Sequence, residues 1–465
     1  YFYDISQRGN IFKGVSLDLF IFIFDYIINL KIIFIVIISI LFLFLLSKYL
    51  FKSKIILLSK KWLLISLLII IIVFLINLTV LKNSYNPYVM SYFDPFKNTK
   101  KIDLDGNYLV EKNLFVFDKT QKEYISDSPK YKKILVFLGE EWMFSDFLNE
   151  KKNISENNFF NNTKSNSHYF TNYYTTNQDS RTAIYSMLSS YFIPYEAYIS
   201  SRVFEDYLKV INEKPNLIEQ LNNNNYNTYF LVSSIEVPDV SYPFPWKEVY
   251  TLDANSYNSK EFYCPNIFSG ETACEDTSII EDLKKIIKNN DNLFVYQEFI
   301  YGHSYKHLRD LKVSRTEYYN NYFFEIYSFL KQEDLLDETI IIITADHGSR
   351  AIFEMYSIDG FKVPLIIISN DLNYFEDDRL LSHLDFKDIL YKYLYDIDKI
   401  NNNDLIISIG GTNSNLISFK TSKNDFGIIN ISLKKVVNYN KDFLNIKEFS
   451  EKVYSFYVQQ INNFK

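Results

Sequence analysis

Between Thr339 and Ala345 the chain reads TIIIITA, and Asp346, His347 and Gly348 follow at once. A run that is apolar or β-branched throughout has no polar face to offer water. As a strand it must be buried on both sides, which selects the interior of a parallel sheet. KKILVFLGEEW from Lys132, NLFVYQEFIYGHSY from Asn292 and VPLIIIS from Val363 contain similar runs, and HYFTNYYTT from His168 alternates enough for a further strand. Between them, DSRTAIYSMLSSYF, TEYYNNYFFEIYSFLKQEDLL and LLSHLDFKDILYKYL carry helical patterns. Strands alternating with helices predict an α/β sandwich around a mostly parallel central sheet.

Three strand ends carry acidic or imidazole side chains: Glu140, His303 and the Asp346–His347 pair. The carboxyl edge of an open α/β sheet is where such folds bind ligands. Taken alone, the Asp-His-Gly triplet reads equally well as a helix cap or a solvated turn. The helix opening at Asp179 or Ser180 adds free backbone N–H groups, a natural seat for phosphate or sulfate.

The amino-terminal part has a different character. Trp62 to Leu81 carries no charge and is long enough to span a bilayer, and Ile33 to about Lys48 forms a second span. Leu17 to Leu30, interrupted by Asp18 and Asp25, reads as a third span or an interfacial helix. The loop between the two firm spans holds Lys48, Lys52, Lys54, Lys60 and Lys61 and no acidic residue, so it stays cytoplasmic and everything after Leu81 is expected outside. The expected organisation is a membrane region over 1–81, a polar linker over 82–130 and an extracytoplasmic domain over 131–465. Cys264 and Cys274 are the two cysteines of the chain, and outside the cytoplasm they are expected to pair, with metal binding the alternative. A formal net charge of −7 over 465 residues argues against general nucleic-acid binding.

The order strand–GE, a Ser or Thr at a helix start, a YNN helix element and strand–DHG resembles the alkaline phosphatase superfamily. Within it, the chain is most similar to the membrane-anchored sulfatase-like branch, particularly the phosphoethanolamine transferases. The resemblance covers Lys132 to about Tyr395. It implies an alkaline-phosphatase-like sandwich preceded by transmembrane helices. It places metal ligands at Glu140 (Glu141 after a one-residue slip), Asp346 and His347, and the nucleophile at Ser180, with Thr182 as runner-up. Tyr319, Asn320 and Asn321 match the family's helix element, with Asn320 touching substrate. YGHSYKH points to His303 as the residue that binds a phosphate oxygen or protonates the leaving group, and CEDTSIIEDL supports the Cys264–Cys274 bridge.

These residue types suit metal-assisted phosphoryl transfer. Two carboxylates, an imidazole and a serine oxygen form an O/N ligand set fit for one tightly bound zinc ion, or manganese. Such an ion turns the weakly nucleophilic serine into a competent one. The resemblance implies transfer of phosphoethanolamine from a membrane phospholipid to an envelope glycan or lipid, at a bacterial cytoplasmic membrane. Phosphoglycerol transfer and phosphatase-like hydrolysis are the alternatives, and a decayed binding module is the alternative of another class. Ser349 and Arg350 replace the usual continuation of DHG, and no histidine lies in the stretch that follows, SRAIFEMYSIDGFKVPL. The formylglycine sulfatase pattern is absent, since Ser180 is followed by Arg181, Thr182, Ala183 and Ile184. His168 and His307 read as surface residues, His383 as a structural part of the last helix, and Trp142 as packing beside the site against a lipid.

Overall fold

A computed structural model describes residues 102–104, 129–155, 158–193, 216–233, 244–251, 266–268, 271–272, 274–300, 312–348, 357–397, 400–410, 416–431, 433–440 and 442–463. All lie within one compact unit, Pro95–Lys465. The expected spans at 17–30, 33–48 and 62–81 fall outside the described residues, as do His303, His307 and Cys264. Among the described residues no helix is long and apolar enough to cross a membrane.

The apolar runs form the centre of an eight-stranded sheet. In chain order its strands are β1 (Lys133–Gly139), β2 (Ser167–Phe170), β3 (Asn227–Val232), β4 (Glu248–Tyr250), β5 (Leu293–Phe299), β6 (Thr339–Ala345), β7 (Leu365–Ile368) and β8 (Phe375–Asp377). They lie in the order β8-β2-β7-β6-β1-β5-β3-β4, and β7 alone is antiparallel to its neighbours. β1, β5 and β6 are buried at every position, as apolar runs covered on both faces require. Their register is level at the carboxyl ends, Gly139 opposite both Ala345 and Phe299. The residues that follow these strands therefore emerge side by side on one edge.

Helices follow the sequence patterns. α1 (Phe144–Lys151) follows the β1 turn. α2 (Ser180–Ser189) starts where the Asp179 carboxylate accepts the Thr182 N–H at 3.1 Å and stops at Ser190, whose φ of 56° is left-handed. α3 (Arg315–Gln332) buries Tyr319, Tyr322, Phe323 and Ile326, and Phe137 and Phe299 of the sheet meet these rings. α4 (Phe386–Tyr395) is the expected late helix, but His383 sits in a separate 3-10 turn, His383–Asp385, ahead of it. A reciprocal cap between Ser382 and Asp385 starts that turn early.

A second sheet, all antiparallel, lies beyond α4. It comprises Leu405–Ile409, Leu416–Thr421, Phe426–Asn430 and Lys435–Tyr439, with the short strand Ile102–Asp103 at its edge. The segment 82–130 is therefore not all linker, since Ile102 and Asp103 pair with Val436 and Lys435. The sheet also supports the approach to α2. Gln178 N–H donates to Ile409 O at 2.9 Å, and Ile409 N–H donates to Thr176 O at 2.8 Å.

Candidate metal centre

The turn after β1 is tightly shaped. A Cβ at Gly139 would stand 2.8 Å from the Tyr319 ring and 2.9 Å from the Trp142 ring, so only glycine fits without displacing an aromatic. Glu141 takes a left-handed φ of 50°, which turns the chain sharply just after Glu140. Glu140 is buried, and its backbone N–H donates to the Tyr319 hydroxyl at 2.9 Å. Trp142 is fully buried, with its indole N–H on Thr316 Oγ1 at 3.0 Å and its ring edge-on to Tyr319. It braces this turn and has no face for a lipid, contrary to the expectation from sequence.

The turn after β6 interlocks with the first. Asp346 Oδ1 accepts the N–H of Glu141 at 3.1 Å and of His347 at 2.6 Å, and Asp346 N–H donates to Gly139 O at 3.2 Å. Thr175 Oγ1 lies 2.9 Å from the Asp346 carbonyl, and His383 Nε2 lies 3.2 Å from that of Ala345. His383 is completely buried, which pushes its pKa down to about 3, so a neutral ring braces the strand end. At Gly348 a Cβ would meet Gly360 O at 2.1 Å.

Four expected residues meet where these turns face α2. Ser180 Oγ lies 3.3 and 3.4 Å from the two Glu140 carboxylate oxygens and 3.3 Å from His347 Nε2. His347 Nε2 is 3.5 Å from Glu140 Oε1 and 3.3 Å from Asp346 Oδ2. His347 Nδ1 stands 2.6 Å from the Gly348 carbonyl, which only accepts, so Nδ1 carries the proton. In the neutral ring Nε2 is then the lone-pair nitrogen, the tautomer a metal ligand needs.

The spacing fits one ion. Ligand atoms about 2.1 Å from a tetrahedral zinc stand about 3.4 Å from one another; Ser180 Oγ, Glu140 Oε1 and His347 Nε2 lie 3.3 to 3.5 Å apart, and Asp346 Oδ2 lies 3.3 Å from His347 Nε2. A divalent cation also stabilises carboxylates gathered in a buried place, where their charges would otherwise be costly. The Glu140, Glu141 and His347 ligand atoms also come within 4.8 Å of one another, so Glu141 is a candidate beside Glu140 rather than a replacement. Arg315, itself buried, donates to the Glu141 carbonyl and lies 3.9 Å from its carboxylate.

The remaining expected residues are placed elsewhere. Thr182 Oγ1 is 3.2 Å from Asp179 Oδ1 within the α2 cap. Asn320 accepts the Phe159 N–H at 3.0 Å and donates to Asn321 at 3.3 Å, so its amide ties α3 to a neighbouring segment instead of facing the cluster. His168 is half-buried on β2, 2.7 Å from the Tyr393 hydroxyl. Cys274 is buried, and the Cys264 half of the expected bridge lies outside the described residues. The bracing contacts of Tyr319, Thr175 and Arg315 carry no sequence signal, although Tyr319 belongs to the family's helix element, because the groups they hold are mostly backbone atoms far away in sequence.

The family model described as Sulfatase matches residues 132–394. No curated protein matches the chain. Among solved structures, a protein in the alkaline phosphatase superfamily from Vibrio parahaemolyticus shares 15% identity at a TM-score of 0.53, over 72% of this chain and 90% of that one. The lipoteichoic acid synthase LtaP from Listeria monocytogenes shares 13% identity at a TM-score of 0.47, over 77% of this chain and 97% of that one. The periplasmic domain of EptC from Escherichia coli, in complex with zinc, shares 10% identity at 0.42, over 64% and 92%.

Proposed function

Because the chain belongs to the sulfatase family, with the α/β fold of the alkaline phosphatase superfamily, we propose that it is a metal-dependent phosphotransferase with Ser180 as nucleophile. The observation that carries this reading is the placement of Ser180 Oγ at 3.3 Å from both Glu140 Oε1 and His347 Nε2. Glu140, Asp346, His347 and Ser180 would hold the ion. When bound, zinc, or manganese in its place, lowers the pKa of the serine hydroxyl and offsets charge on a phosphoryl oxygen. The α2 amino terminus supports the same oxygens through its dipole.

The donor in this reading is a membrane phospholipid carrying phosphoethanolamine, as the sequence resemblance implies. Ser180 Oγ bonds to phosphorus while the bond from phosphorus to the diacylglycerol oxygen breaks. Ser180 attacks as the alkoxide, its proton having passed to solvent, and His303 protonates the departing diacylglycerol alkoxide. The acceptor hydroxyl of an envelope glycan or lipid then gives its proton to His303 as its oxygen bonds to phosphorus, and the bond to Ser180 Oγ breaks, which returns the serine alkoxide. The 1–81 segment anchors the enzyme in the bacterial cytoplasmic membrane with its catalytic domain outside, where the Cys264–Cys274 bridge persists.

Peptide mass spectrometry of the Ser180 segment, after incubation with phosphatidylethanolamine vesicles and zinc, tests the reading. A phosphoethanolamine adduct lost in Ser180→Ala is expected. A phosphoglycerol adduct from phosphatidylglycerol vesicles would replace the donor, and no adduct from either would overturn the transfer reading.

A further inference from the structure

Two lysines, Lys362 on a segment that borders the proposed reaction centre and Lys420 on the second sheet, meet around Tyr174 without a carboxylate bridge among the described residues. Lys362 lies just before β7, at the carboxyl edge of β6, and forms an isolated antiparallel bridge with Tyr174. Its ammonium sits over the Phe144 ring, 4.8 Å from the centroid. Lys420, from the second sheet, donates to the Tyr174 hydroxyl at 2.8 Å and lies 5.2 Å from the centre of that ring. Both are half-buried, and among the described residues neither makes an ion pair. Burial lowers both pKa values, and the Lys420 charge lowers that of Lys362 further, while exposed Asp359 acts on both in the opposite sense. Two partly desolvated like charges are a costly arrangement unless an anion joins them.

The segment that carries Lys362 borders all three segments that build the centre. Lys362 O accepts the N–H of Phe144, four residues after Glu140. Gly360, two residues before Lys362, presents its carbonyl to Gln178 Nε2 at 3.1 Å, just before Ser180, and packs against Gly348 beside His347. Tyr174 precedes Thr175, whose hydroxyl lies 2.9 Å from the Asp346 carbonyl.

We propose that Lys362 and Lys420 form an anion subsite beside the reaction centre, which takes the phosphate oxyanion of a substrate bearing a second anionic group. The inference deepens the transfer reading, on which the origin of the anion depends. Binding itself does not depend on turnover. The Tyr174 ring carries Lys420, the Phe144 ring carries Lys362, and the bridge between Tyr174 and Lys362 sets the two cations on one side. A phosphate oxyanion supplies acceptors for both ammonium groups.

The test titrates inorganic phosphate into the purified, chelator-treated full chain and follows binding by calorimetry. Lys362→Gln and Lys420→Gln are each expected to weaken binding about tenfold, and the Lys→Arg variants to retain it. Without phosphate, Lys362→Gln should melt no lower than wild type, since it removes a repulsion. Phosphate should then raise the melting temperature of wild type and the Lys→Arg variants more than that of the Lys→Gln variants. Equal phosphate binding in wild type and the double variant, or a lysine variant that melts far below wild type without phosphate, would overturn the subsite. If the anion belongs to the substrate, the variants raise KM for vesicle donor and spare kcat. If it is free phosphate, they instead abolish an effect of phosphate on kcat. Lysine-dependent phosphate binding without any Ser180 adduct would leave the subsite standing and remove the transfer reading.

Discussion

Tyr319 holds Glu140 by its backbone: the tyrosine hydroxyl accepts the Glu140 N–H at 2.9 Å, in full burial. Burial raises the phenol pKa well above the usual range, so the group stays neutral. The carboxylate is thus aimed by a residue from α3, not by the β1 strand that carries it. Tyr319→Phe leaves a buried N–H without its acceptor, at a cost of about 1–3 kcal/mol. The expected outcome is a lower melting temperature together with metal affinity reduced about 10–100-fold, read by competition with a chromogenic chelator.

The two hydroxyl candidates on α2 should separate cleanly. Ser180→Ala is expected to abolish adduct formation with little change in stability. Thr182→Ala disturbs the Asp179 cap, in which Thr182 Oγ1 lies 3.2 Å from the carboxylate, and should cost about 1 kcal/mol while still forming the adduct. Urea denaturation paired with mass spectrometry checks both halves.

Gly139 and Gly348 differ in what an added methyl would strike. At Gly139 the obstacles are two ring edges, which shift at a cost of about 1–3 kcal/mol. At Gly348 the obstacle is the Gly360 carbonyl at 2.1 Å, a backbone atom that moves only with its segment. Gly348→Ala should therefore be the more damaging in both melting temperature and metal content.

His383 predicts an acid-side loss of stability. Its folded pKa of about 3 lies below the ordinary 6.5, so the unfolded chain binds the extra proton. The contribution is fully present above pH 6.5 and is lost as pH falls from 6.5 towards 3. The loss is roughly 3 kcal/mol by pH 4 at about 1.4 kcal/mol per unit. His383→Gln, which keeps an N–H for the Ala345 carbonyl, should flatten this slope in melts between pH 4 and 7.

Much of this architecture is legible in the chain because β1, β5 and β6 are apolar on both faces, a pattern with few other solutions in a folded domain. Glu140, Asp346 and His347 stand out because they interrupt such strands at their ends, and Ser180 because Asp179 caps a helix there. Other parts carry no local signal. Asn320 matches a family element by position, yet its amide is used within the fold. The second sheet is built from short strands in an Asn-rich region, and its link to Ser180 runs through Ile409 backbone atoms that any residue supplies. Lys362 and Lys420 are 58 positions apart in sequence and are brought together at Tyr174.

The central claim is that Glu140, Ser180, Asp346 and His347 form one metal site. Elemental analysis of the purified full chain, wild type beside His347→Ala, tests it most directly. The account predicts about one zinc or manganese ion per wild-type chain and a loss of that ion in the variant, at matched folding. No stoichiometric metal in the wild type, or equal metal in both proteins, would contradict it.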